Sequence, residues 1–356
     1  VPALEIHRTR SGLHLPRLGL WLDASLPVRG AERVFVSHAH SDHTARHRDV
    51  ILTAATARLM QARLGGERLE HTPAFGETRE FSGGERPFRL TLLPAGHILG
   101  SAMAFIEADG ESLLYTGDFK LKPGLAAEPC APRRADALVM ETTFGRPQYA
   151  FPPAAEVLAD VVRFCRETIA GGGTAVLLAY SLGKSQELLA GLADAGLPIV
   201  LHEQTLKMSR EYAALGFKLP ACERHDGGPA PGRVVICPPN GAGAWREHRA
   251  GCRVAAVTGW ALEAGCRYRY GVDAAFPLSD HADFPDLLRL VELVSPRRVY
   301  TVHGFAADFA RVLRERGRDA RALGETEQLD LDLRIEACWR RKPRRQPAVD
   351  LAADGR

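Results

Sequence analysis

The stretch RVFVSHAHSDHT, residues 33–44, constrains this chain more than any other. A short apolar run of strand character ends in three histidines and an aspartate packed into six positions. Alternate side chains of an extended segment face the same way, so His38 and His40 point at one spot. A helix beginning at Ser41 would bring Asp42 and His43 round behind them. Imidazoles with a carboxylate suit zinc or another first-row metal, and no thiolate is needed. A single His-x-His is a weak signal. The whole arrangement at the end of a strand is a strong one.

A metal site needs ligands from elsewhere in the chain. LLPAGHILGSAMAFI puts His97 after a strand and before glycine, where backbone can approach closely. LLYTGDFK puts Asp118 at a strand end after glycine, where its two oxygens could bridge two cations. RRVYTVHGF puts His303 in the same setting. Each of these taken alone is more often structural. The shared context, a polar ligand beside glycine at the end of an apolar strand, binds them together.

The 356 residues are long for one domain and comfortable for two, with 46% hydrophobic residues to build a core. Thirty-four glycines and 23 prolines suggest many short elements joined by turns. A net charge of +3 is too small to argue for a polyanionic partner. Arginine is concentrated late, as in RRKPRR, and the plain reading of such clusters is a solvated face or a loose tail. No run of roughly 18 apolar residues occurs, so no membrane partner is expected. The opening VPALEIHRTRSG lacks the layout of a secretory signal and reads as the start of a strand. Seven scattered cysteines without a C-x-x-C pair argue against a disulfide framework and for a reducing cytoplasm.

Residues 1–146 read as short strands with few long helices: RLGLWLDAS, RVFVSH, VILTAATARLM, RLTLLPAGH, SAMAFIEADGESLLYTGDF and ALVMETTF. Asp-Gly within IEADGESLLYTG marks a hairpin. From PPAAEVLADVVRFCRETIAGGG onward the pattern becomes helix, strand, turn, helix, strand, which predicts a parallel sheet over 147–276. Residues 277–340 return to helix, strand and helix and are expected to rejoin the first domain. The remaining 341–356 form a basic tail, for which disorder is one reading.

HAHSDH followed in order by His97 and Asp118 resembles the metallo-β-lactamase fold, an αββα sandwich with a dinuclear site at one edge. METTFG, PLSDHAD and TVHG resemble the three extra motifs of the β-CASP nucleases, which cut nucleic acids. ETTFGRPQYAFPP, AYSLGKSQELL and the TGWAL to DFPDLL stretch look most like bacterial ligase-associated DNA exonucleases, often called mRNA 3′-end processing factor-like. The implied fold class is α/β, a metallo-β-lactamase sandwich with an inserted α/β β-CASP domain. The resemblance implies two divalent metals, zinc first and manganese as the alternative. His38, His40 and His97 would hold one and Asp42, His43 and His303 the other, with Asp118 between. Asp23 in LWLDAS falls where the family orients its histidines with a carboxylate. Glu141 and His281 fall on the first two β-CASP motifs.

Two cations would screen a phosphodiester and activate water, making Asp42 and Asp118 catalytic as well as ligating. A carboxylate at Glu141 would keep His281 protonated as the acid for the departing oxygen, an ordinary buried ion pair being the alternative. AYSLGKS lacks P-loop spacing, yet Ser181 and Lys184, with Ser279, are candidates to grip a phosphate; helix capping by Ser181 is the competing reading.

The implied activity is 5′ to 3′ exonuclease action on single-stranded DNA in repair, with a DNA ligase or helicase as partner. An RNA-processing nuclease is the alternative, and a thioester or lactam hydrolase a more distant one. RNA-cutting relatives usually carry histidine at the third extra motif, and Artemis-type DNA nucleases valine. Residue type leaves the substrate open, because both nucleic acids are read mainly through phosphates and only RNA offers a 2′-OH.

Overall fold

The computed structural model describes residues 4–324 apart from 242–244, 246, 247 and 249. The expected tail at 341–356 and the end of the return segment lie outside the described residues.

Six strands open the chain: β1 (His7–Thr9), β2 (Gly12–Leu15), β3 (Leu20–Leu22), β4 (Arg33–Phe35), β5 (Asp49–Ile51) and β6 (Leu69–His71). They pair in that order, with β3 to β6 parallel. The expectation of one strand across VILTAATARLM is corrected. Strand β5 stops at Ile51, and helix α1 (Ala54–Leu64) follows. Thr53 caps that helix, its Oγ1 accepting from the Thr56 amide at 3.0 Å, and the alanine-rich run beyond it favours helix over strand.

The second sheet takes β7 (Thr78–Phe81), β8 (Phe88–Pro94), β9 (Ala102–Ala108), β10 (Glu111–Tyr115) and β11 (Ala137–Glu141). Asp109 and Gly110 join β9 to β10 as expected, at φ 49° and 80°. Positive φ at both central residues matches the twist of the flanking strands.

The chain then builds a third sheet. Its elements are α2 (Ala154–Ala170), β12 (Thr174–Leu178), α3 (Lys184–Gly191), β13 (Ile199–Leu201), α4 (Glu203–Ala214), β14 (Glu223–Arg224), β15 (Val234–Cys237), β16 (Cys252–Val257), α5 (Cys266–Tyr270) and β17 (Ala274–Phe276). All its pairings are parallel, in the order β14-β13-β15-β12-β16-β17. The run TAVLL of β12 is buried on both faces, Ala175 and Leu177 on one and Val176 and Leu178 on the other. Continuous apolar strands are what a covered parallel sheet requires.

Finally α6 (Phe284–Val294), β18 (Arg298–Val302), α7 (Ala306–Glu315) and β19 (Ala320–Ala322) return to the second sheet. There β18 pairs in parallel with β11.

Two-residue periodicity explains the layering. Phe35 and Ile51 face Leu90, Leu92, Leu113, Tyr115 and Val139 between the first two sheets. Their neighbours turn outward: Val34, Val36 and Val50 meet Leu59 and Met60 of α1, while Leu114, Leu138 and Met140 meet Leu287, Leu290 and Phe309 of α6 and α7. Each fully buried aliphatic or aromatic side chain contributes about 1.5–3 kcal/mol. The result is an αββα sandwich carrying an inserted α/β domain. Helix α4 of the insert docks on α1 through Met208 and Tyr212, and the Arg58 to Glu211 pair at 2.7 Å flanks the joint. That docking fixes the start of α3 against the loop after β4.

Candidate metal centre

The chain brings its polar strand ends to one edge. Strands β10, β11 and β18 lie side by side and parallel, so Asp118, Glu141 and His303 leave the second sheet together. Strand β8 runs antiparallel to β9, which runs antiparallel to β10, so His97 emerges at the same edge. The loop after β4 supplies His38, His40, Asp42 and His43. No helix starts at Ser41, contrary to expectation: a tight turn, with the His43 amide donating to the His40 carbonyl at 3.2 Å, reverses the chain instead. Gly117 permits the close approach of the two sheets here, since a Cβ on it would lie 2.4 Å from that of Ser37.

Hydrogen bonding sets which nitrogen of each imidazole is bare. His40 Nε2 is 3.1 Å from the Leu182 carbonyl and His97 Nδ1 is 2.9 Å from the Asp280 carbonyl. Carbonyls only accept, so those nitrogens carry the protons. Ser37 Oγ gives its proton to Asp23 Oδ2 at 2.6 Å and therefore accepts from His38 Nδ1 at 2.9 Å. The remaining nitrogens, His38 Nε2, His40 Nδ1 and His97 Nε2, are lone pairs turned on one another. His40 Nδ1 lies 3.0 Å from the first and 3.1 Å from the third. No proton is left to sit between them, and Asp118 closes the group, with all four ligand atoms within 4.8 Å. A buried knot of mutually repelling lone pairs with a carboxylate fits a divalent cation. Burial, reinforced by neighbouring histidines, holds His38 well below its ordinary value, and it takes His97 down to about 3. Both are thus neutral, as a metal ligand must be.

Asp118 also reaches the second group. Its Oδ2 is 3.4 Å from His43 Nε2 and 3.5 Å from His38 Nε2, which places it between the two sides. Asp42 Oδ2 stands 3.8 Å from His43 Nε2 with its side chain 55% exposed, and the His303 ring centre lies 5.6 Å from that of His43. This side is looser than the first. Burial alone would lower the His43 pKa, but Asp118, Asp23 and Asp42 together raise it well above the ordinary value.

Asp23 organises the loop from below. It accepts from the Ser37 amide at 2.7 Å, Ser37 Oγ, His43 Nδ1 at 2.8 Å and the Tyr115 hydroxyl at 2.8 Å. Asp23 and His303 both adopt left-handed backbone, φ 48° and 59°. Such residues persist where surrounding contacts over-determine them.

Beside these candidate ligands, His281 Nδ1 is 2.8 Å from Glu141 Oε1, and its ring centre is 4.6 Å from that of His97. Glu141 is fixed by the amides of Phe119 and Thr143, at 3.2 and 3.1 Å. Burial opposes charge on His281, yet Glu141, Asp118 and Asp280 raise its pKa to about 10.

The phosphate candidates stand differently. Lys184 is 2% exposed and its Nζ is 2.7 Å from Asp280 Oδ1, so its charge is spent beneath the site. Ser279 Oγ is turned into its own loop, accepting from the His281 amide at 3.0 Å. Ser181 Oγ meets Thr205 Oγ1 at 3.5 Å, and α3 is capped by Gly183 instead. Lys184 and Ser279, expected to grip a phosphate, thus each hold a partner within the protein. Ser37, Tyr115 and Asp280 are the site residues that sequence reading missed. The only local signal was adjacency, Ser37 and Asp280 each preceding a histidine already singled out.

Comparison with known proteins agrees with this architecture. Residues 274–323 match the family model described as "Zn-dependent metallo-hydrolase RNA specificity domain". A "Probable DNA ligase" of Opitutus terrae is 54% identical over 91% of this chain. "5' exonuclease Apollo" of Gallus gallus is 33% identical over 51% of it, and "Endoribonuclease YSH1" of Candida albicans 36% over 35%. The chain spans only 31%, 40% and 14% of those three proteins' own lengths. A solved structure, a protein of unknown function from Enterococcus faecalis, superimposes with a TM-score of 0.54 at 13% identity, covering 83% of this chain and 80% of that one. On this fold, these strand-end motifs and these relatives, the chain belongs to the β-CASP nuclease family of the metallo-β-lactamase fold.

Proposed function

We propose that this chain is a dinuclear metal-dependent phosphodiesterase acting as a 5′ to 3′ exonuclease on single-stranded DNA during repair. The observation that carries the reading is the knot of three bare imidazole nitrogens and Asp118, with the Glu141-held His281 alongside. His38, His40, His97 and Asp118 would hold one cation, and Asp42, His43 and His303, sharing Asp118, the other. Bound cations, zinc or manganese, supply charge screening for the phosphodiester and acidify a water for attack.

The chain's own residues do the rest. Asp23 fixes His43 directly and His38 through Ser37, so both present Nε2 to the site. Glu141 takes Nδ1 of His281 and leaves Nε2 to protonate the departing oxygen as the P–O bond breaks. Asp280 orients His97 through its carbonyl and is itself balanced by Lys184. The inserted domain, docked beside the ligand loop, forms the second wall that a polymeric substrate needs and a lactam or thioester does not.

The DNA reading rests on the kinship with proteins named as a DNA ligase and a 5′ exonuclease. The first also makes a ligase the natural partner, within the cytoplasm. An RNA-processing role is the second reading, favoured by the "RNA specificity domain" match and by histidine at position 303. Incubation with end-labelled single-stranded DNA and matched RNA, each with and without 5′-phosphate, tests the reading. Mononucleotides released progressively from the 5′ end of DNA are expected. Internal cuts confined to RNA would replace the first reading with the second.

A further inference from the structure

The segment from Trp260 to Tyr270 carries a surface that the reaction as described leaves unused. Tyr268 is 94% exposed, although the helix bearing it is firmly seated. Cys266 and Tyr270 are buried with Ala256, which turns Arg267, Tyr268 and Arg269 outward. A helix advances about 100° per residue, so the two guanidiniums leave on either side of the ring. Neither arginine makes an ion pair among the described residues. Arg58, Arg163, Arg233, Arg298 and Arg311, by contrast, each face an acid within 3.4 Å. The acids nearest in sequence are engaged elsewhere, Glu263 by the Tyr149 hydroxyl and Asp273 by the Val254 amide at 2.8 Å.

This surface connects to the catalytic edge. Trp260, on the 3-10 turn Gly259–Leu262 that packs against α5, has its ring centre 4.8 Å from that of Phe144. The Phe144 ring centre is in turn 6.1 Å from that of His281. The charge of Arg269 acts on Tyr149, whose ring is 5.7 Å from Trp260. An exposed ring between two unpaired cations matches the base and phosphate alternation of a single strand. Stacking is tolerant of base identity, and each neutralised phosphate contributes salt-sensitive affinity. An acidic peptide would use the cations and ignore the ring.

We propose that Arg267, Tyr268 and Arg269 form a landing for single-stranded nucleic acid, one base stacking on Tyr268 and its flanking phosphates meeting the arginines. The proposal rests on the nuclease reading and adds to it where the strand lies beyond the reacting phosphate. The full chain is compared with Tyr268→Ala, Tyr268→Trp and the double variant Arg267→Ala/Arg269→Ala. Cleavage of labelled single strands is followed alongside turnover of bis(p-nitrophenyl) phosphate, which probes the metal centre alone. Tyr268→Ala is expected to raise KM for the strand about tenfold with kcat and diester turnover unchanged, and tryptophan to restore it. The arginine variant is expected to flatten the slope of log affinity against log salt by about 1.4. An unchanged KM in Tyr268→Ala, with the wild type cutting strands, overturns the landing and leaves the nuclease reading standing. Loss of affinity in the arginine variant alone also overturns it, in favour of a surface for an acidic partner. A wild type that turns over the diester yet neither binds nor cuts nucleic acid removes the nuclease reading and this proposal together.

Discussion

His281, in the loop before α6, and Glu141, 140 residues away at the end of β11, are joined by a 2.8 Å hydrogen bond. Glu141 is buried and pinned by two amides, so it cannot swing away from the imidazole. Burial would lower the His281 pKa, but Glu141 is the largest influence raising it. Its acid form therefore persists through neutral pH and is lost as pH rises through the elevated value. Glu141→Gln removes the charge while keeping the shape. The basic limb of the pH–rate profile is expected to move down by about one to three units. An unmoved limb in that variant would take His281 out of the role of acid.

Asp23 accepts four hydrogen bonds, and two of them govern histidines on opposite sides of Asp118. Asparagine in its place offers one acceptor oxygen and a competing donor. Asp23→Asn is expected to weaken metal binding about 10–100-fold, measured by competition with a chelator. Undiminished affinity would mean that the four bonds serve folding alone.

Lys184 and Asp280 form an almost solvent-free ion pair. Removing one partner leaves the other charge stranded, so Lys184→Met should cost about 3–5 kcal/mol in denaturant unfolding. Burial would raise the Asp280 pKa, but Lys184, His97 and His281 hold it well below the usual carboxylate range. A depressed folded pKa stabilises above the unfolded value of about 4 and loses that contribution as pH falls toward the folded one. The variant should accordingly show a weaker dependence of stability on acid pH. A grip on substrate phosphate would instead raise KM and leave stability intact.

Of the two proposed cation sites, the first is closed and the second is open to solvent at Asp42. Isothermal titration of metal-stripped protein should resolve one tight and one weaker event. His303→Ala is expected to abolish the weaker event and spare the tight one. A single event unaltered by that substitution would contradict a two-site centre.

The convergence of these side chains was legible in the sequence because most candidate ligands sit just past the end of an apolar strand, and strand ends of one sheet share an edge. Asp109-Gly110 fixed a hairpin in the same local way. What failed was tertiary. Asp42 and His43 read as a helical start, yet the loop is held by Asp23, which lies 20 residues from His43 and outweighs local propensity. The pairing of Lys184 with Asp280 had no local signal either, because the counter-charge lies 96 residues away. Ser37 and Tyr115 carried no signal of their own, since their roles exist only through a carboxylate 14 and 92 residues distant.

The central claim is that buried imidazole lone pairs and Asp118 hold the cations on which hydrolysis depends. Metal content of purified, dialysed and fully active protein, read by plasma mass spectrometry beside Asp118→Ala, tests it most directly. About two equivalents per chain are predicted for the active protein, with metal and cleavage both lost in the variant. Active protein free of metal, or a variant that still cleaves at the wild-type rate, would contradict it.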